Sequence, residues 1–88
     1  MAVTKTFTVN NKLGIHARPA AQFVKIASRF DCEIRVEKDE EEIDGKSIMG
    51  LMMLAAGNGS KLKVTADGGD EEEAITALED LLNRNFEE

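Results

Sequence analysis

Apolar and polar positions alternate residue by residue at the start of the chain. Thr4, Thr6 and Thr8 fall on one side, Lys5, Phe7 and Val9 on the other, and the β-branched content predicts a first strand. A turn-rich loop, Asn10 to Gly14, follows, and then the period changes. Ala20, Phe23, Val24, Ala27 and Phe30 recur at helical spacing, with Gln22, Lys25, Ser28 and Arg29 opposite them. This predicts a helix from about His16 or Ala17 to Arg29 or Phe30. Pro19 suits its first turn, where a missing N–H costs nothing.

Alternation returns with Cys32, Ile34 and Val36 against Glu33, Arg35 and Glu37, a half-buried second strand. Lys38 to Glu42 reads as a solvated hairpin turn, and Ile43 as part of a short third strand. Ser47 is placed to cap a second helix whose inward face would be Ile48, Leu51, Met52 and Ala55, stopped by Gly57-Asn58-Gly59. Leu62, Val64 and Ala66 alternate with Lys61, Lys63 and Thr65 as a fourth strand. After Gly68-Gly69, Asp70 and Glu73 have capping-box spacing ahead of a last helix striped by Ala74, Ile75, Leu78, Leu81 and Leu82. Strands with one polar face imply an antiparallel sheet open to water on one side, with helices packed on the other. The expected fold is α+β, an open-faced sandwich of four strands and three helices in the order β-α-β-β-α-β-α, over a single domain, 1–88.

Composition narrows the function classes. Seventeen acidic residues against eleven basic ones give a net charge of −6, the wrong sign for binding nucleic acid through its phosphates. No apolar run approaches the roughly 20 residues of a membrane span, and the alternating start is unlike a secretory signal. The lone Cys32 has no internal partner for a disulfide, and one Cys with one His cannot build a structural zinc site. No metal, no cofactor, a monomer and a cytoplasmic location are the expectations.

The chemistry gathers in Gly14-Ile15-His16-Ala17-Arg18-Pro19-Ala20-Ala21, which holds the only histidine and the only proline. At the start of a helix, His16 sits at the positive end of the helix dipole, beside backbone N–H groups and a guanidinium. Neutral imidazole is a nucleophile, and Arg18 and the N–H groups can hold phosphate oxygens. By itself a lone histidine here is most simply an exposed helix cap.

Gly-Ile-His-Ala-Arg-Pro-Ala closely resembles the active-site signature of HPr, the histidine phosphocarrier family of the phosphoenolpyruvate-dependent sugar phosphotransferase system. Gly45-Lys46-Ser47-Ile48-Met49-Gly50-Leu51-Met52 resembles that family's regulatory-serine region, and the two stand in the family's order and separation. The resemblance implies that His16 accepts a phosphoryl group on Nδ1 from enzyme I and passes it to an enzyme IIA domain, with Arg18 beside it. It implies a relay protein rather than an independent catalyst, and a regulatory phosphorylation at Ser47. It extends the partners to an HPr kinase/phosphorylase and a catabolite-control transcription factor, and it puts the beginning of the second helix near the histidine. Ser47 alone reads as a cap contributing about 1 kcal/mol.

Met49 and Met53 point off the stripe of the second helix and form an expected docking patch, to which the resemblance adds Ile48 at the start of that helix, whereas Leu54 is expected in the core. No G-x-S-x-G-type turn surrounds Ser47, Asp39-Glu40-Glu41-Glu42 lacks calcium-loop spacing, and the glycine pairs are too short to cradle a nucleotide. His16 separates the chain from family paralogues that keep only the serine. A nitrogen- or regulation-branch carrier and a small ligand-sensing module stay open as alternatives.

Overall fold

The computed structural model describes residues 1–87. Its elements are β1 (Val3–Thr8), α1 (Ala17–Ala27), β2 (Glu33–Lys38), β3 (Glu41–Asp44), α2 (Ile48–Met53), β4 (Lys61–Asp67) and α3 (Glu71–Asn83). The strands form one antiparallel sheet in the order β1-β4-β2-β3. Its register brings Phe7 opposite Leu62, Val64 opposite Val36 and Ala66 opposite Ile34, so the apolar alternations of three strands coincide on one face. The helices cover that face, and Phe23, Leu51, Leu78 and Leu81 complete a core in which, among the described residues, no polar or charged one is buried. The other face carries Thr4 opposite Thr65, whose hydroxyls are 3.0 Å apart, and Arg35 paired with Glu33 and Glu42. Lys5 falls on the helix side and escapes the core by reaching Glu79 of α3. The α+β open-faced sandwich and its element order are as the alternations require.

Three local expectations need correction. The hairpin turn is only Asp39 and Glu40, both left-handed with φ of 51° and 70°, and Glu41 and Glu42 already pair with Lys38 and Glu37. A two-residue turn of this hand matches strand twist, so the acidic run becomes half turn, half strand.

The second helix is shorter and rolled differently than its periodicity suggests. It ends at Met53, Ala55 turns left-handed at φ 52°, and Leu54 and Ala56 enter the core. Leu51 and Leu54 therefore face inward, while Ile48, Met52 and Ala55, expected inside, are exposed. Leu54 is buried as expected.

Asp70 stands at the α3 N-cap but caps nothing with its side chain. Its carboxylate instead accepts from the Asp31 and Cys32 backbone N–H groups, each at 2.9 Å, pinning the start of α3 to the loop before β2. Those bonds hold the Asp70 carboxyl below its ordinary range, while burial and the nearby Asp70 push the Cys32 thiol up to about 11.

Candidate functional site

The turn leading into α1 leaves no room for a side chain at Gly14. Its φ is +72°, and a Cβ there would lie 2.4 Å from the Ala56 carbonyl oxygen and 2.7 Å from Gly57 Cα. The next residue confirms the close approach: the Ile15 N–H donates to the Ala56 carbonyl at 2.8 Å, and the Ile15 side chain is buried. The segment before α1 is thus fastened to the segment after α2, and His16 follows directly from this seam.

His16 is the N-cap of α1, in extended conformation, and its carbonyl accepts the first helical bond from Ala20 at 3.0 Å. Its side chain makes no capping hydrogen bond, and the residue is exposed. The imidazole is therefore not used up by the helix. Ala17 and Arg18 open the helix with N–H groups that have no intrahelical acceptor, and Pro19 has none to satisfy. No acidic residue stands in this first turn to compete for an anion.

His16 and Arg18 line one open cavity of about 450 Å³, with Lys12, Gln22 and Phe86 among its other walls. Phe86 reaches there because the chain folds back after α3. Asn85 and Phe86 are both left-handed, and the Phe86 N–H donates to Leu81 at 3.0 Å, which buries the ring. Between residues 11 and 30 the chain carries Lys12, Arg18, Lys25 and Arg29 and no carboxylate. A protein that is acidic overall thus presents its histidine from a segment that is wholly cationic. Such a site can hold a phosphate-sized anion against a nucleophilic nitrogen.

Ser47 caps α2, its Oγ accepting from the Gly50 N–H at 2.9 Å. The neighbouring Lys46 ammonium donates to the Phe30 carbonyl at 2.7 Å, just past the end of α1. With Ile15 bonded to Ala56, this sets α2 antiparallel beside α1. The segment after α2 thus adjoins the segment before His16, while Lys46, just ahead of α2, reaches the chain beyond α1. Met49 and Met53 are 75 % and 67 % exposed, and Ile48 is 40 % exposed, so these three share the outer surface of α2.

The sequence model described as "PTS HPr component phosphorylation site" matches residues 3–84. The chain belongs to the HPr phosphocarrier family. It is 51 % identical over 82 residues to the phosphocarrier protein HPr of Pseudomonas aeruginosa, covering 92 % of this chain and 91 % of that one. It is also 51 % identical over 76 residues to the HPr-like protein Crh of Halalkalibacterium halodurans, covering 86 % and 90 %. The crystal structure of an HPr from Thermoanaerobacter tengcongensis superposes with a TM-score of 0.93 at 50 % identity, covering 98 % of both chains.

HPr proteins are phosphoryl-relay components rather than catalysts that turn over alone. Of the cavity's walls, the sequence motif singled out His16 and Arg18 but not Lys12, Leu13 or Phe86. Lys12 and Leu13 sat in a segment read only as a loop, although Leu13 is 76 % exposed and lines the same cavity. The absence of carboxylates from 11–30 was the available signal for Lys12. Phe86 gave none, because its burial depends on a backbone reversal outside the helical stripe.

Among the described residues no cluster of His, Cys, Asp or Glu could hold a metal ion, and no helix is long and apolar enough to cross a membrane.

Proposed function

We propose that this chain, working as one domain over 1–88, carries a phosphoryl group on His16 between phospho-enzyme I and enzyme IIA domains of the sugar phosphotransferase system. The observation that carries the reading is an exposed histidine at the α1 N-terminus, its imidazole not engaged in capping, sharing a cavity with Arg18. In the transfer, the lone pair of Nδ1 attacks phosphorus while the bond from phosphorus to the donor breaks. Arg18 and the first N–H groups of α1 take up charge on the phosphoryl oxygens, and the next acceptor reverses the step. Ile48, Met49 and Met53 form the partner-docking surface, adaptable because thioethers are flexible and polarisable.

Ser47 is the regulatory phosphorylation site, a substrate for an HPr kinase/phosphorylase, and a catabolite-control transcription factor is a reader of that state. A phosphate there would stand at a helix N-terminus, where negative charge is tolerated. It acts by placing charge beside Ile48 and Met49, which follow it directly. The protein acts in the cytoplasm as a monomer.

The test is phosphorylation by enzyme I and phosphoenolpyruvate, read by intact mass and ³¹P NMR beside His16→Ala. An acid-labile phosphoryl group present on the native protein and absent from the variant supports the relay. A regulation-branch carrier is the second reading, favoured by the likeness to the HPr-like protein Crh. Labelling by the enzyme I of another branch, with none from the sugar branch, would decide for it.

A further inference from the structure

We propose that Lys12 is a second cation that holds the phosphoryl group at His16, completing with Arg18 a two-sided clamp. The inference rests on the reading of His16 as the carrier and adds to it a residue from outside the helix and outside the motif. Lys12 lines the same cavity of about 450 Å³ as His16 and Arg18, and reaches it from the β1–α1 loop. Its backbone is held in place. The Gly14 N–H donates to the Asn11 carbonyl at 3.1 Å, the Asn11 amide donates back to the Gly14 carbonyl, and Gly14 abuts Ala56. Lys12 therefore projects from a closed turn whose last residue is two before His16.

Among the described residues Lys12 has neither an ion pair nor a hydrogen bond, so its charge is uncommitted. No carboxylate lies between residues 11 and 30 to claim it, and among the described residues the one acidic wall of the cavity is Glu87. A phosphoryl group on an imidazole nitrogen presents three anionic oxygens. The planar fork of Arg18 suits two of them, and a compact ammonium on a flexible stem suits the third. Exposure keeps Lys12 out of the packing, so its substitution separates chemistry from folding.

The experiment phosphorylates the full chain with phosphoramidate, which needs no partner protein. The imidazole lone pair attacks phosphorus, the P–N bond of the donor breaks, and ammonia leaves with the bonding pair. The formation rate and lifetime of phosphohistidine are followed by ³¹P NMR in the native protein, Lys12→Gln, Lys12→Arg and His16→Ala, at low and high salt. Lys12→Gln is expected to slow formation by about tenfold, the loss of one charge-assisted contact. It should also lose part of the salt dependence, while Lys12→Arg restores both and all melting curves coincide.

A rate for Lys12→Gln within about twofold of native overturns the clamp while leaving His16 as carrier. A defect seen with enzyme I but not with phosphoramidate also overturns it, making Lys12 a docking residue. Equal labelling of the native protein and His16→Ala removes the carrier reading itself, and the clamp with it.

Discussion

Gly14→Ala tests the seam on which the site is built. The substitution meets two separate penalties. An alanine at φ +72° occupies the left-handed region, at about 1–2 kcal/mol for a residue with a Cβ. That Cβ would also be 2.4 Å from the Ala56 oxygen and 2.7 Å from Gly57 Cα, both backbone atoms without a rotamer to turn aside. Relieving such overpacking costs typically about 1–3 kcal/mol, and moving the two segments of the seam apart weakens the Ile15–Ala56 hydrogen bond. The expected sum is about 2–5 kcal/mol, a fall in Tm on the order of 10–30 °C for a domain of this size.

Urea and thermal unfolding measure it, with Gly57→Ala as the control. That position has nothing within 4 Å of a built Cβ, and its expected change stays within about 0.5 kcal/mol. Phosphorylation of His16 should fall with Gly14→Ala even at temperatures where the variant is folded, because the helix start must shift. A Gly14→Ala variant as stable as Gly57→Ala would refute the close approach and the account of how His16 is positioned.

Three further outcomes follow from the packing around the site. Met49→Lys, on a side chain 75 % exposed, should leave Tm nearly unchanged but lower transfer from enzyme I; a large stability loss would mean Met49 is core. Ser47→Ala removes the acceptor for the Gly50 N–H and should cost about 1 kcal/mol in urea unfolding, with His16 still phosphorylated. Asp70, whose folded carboxyl is held low by the Asp31 and Cys32 N–H groups, contributes stability that is present above the ordinary carboxylate range and lost as pH falls through and below it. Asp70→Asn should therefore flatten the acid limb of the stability curve, and an unchanged limb would show that those two bonds carry no pH dependence.

Where a residue's fate depends on its near neighbours, the one-dimensional pattern was enough. The strand alternations of Phe7, Ile34, Val36 and Leu62, the stripe of α3 and the Ser47 cap all arise from periods of two or 3.6 and from bonds within four residues. Those same patterns, with the two HPr-like motifs, located His16 and Arg18, since an N-terminal turn needs only the residues around it.

The tertiary structure decided what spacing leaves degenerate. The second helix is apolar on nearly every side, so no periodicity could say that Leu51 and Leu54 would be inside and Ile48 and Met52 outside. Short capping signals have the same weakness: Asp70 could serve its own helix or a distant loop, and two N–H groups nearly forty residues earlier took it. Gly14 is required by Ala56, Phe86 is buried by a reversal of the chain, and Lys12 and Arg18 come to line one cavity. Each of these depends on segments brought together by burying the apolar face of the sheet, a driving force that is non-directional and so leaves no local mark in the chain.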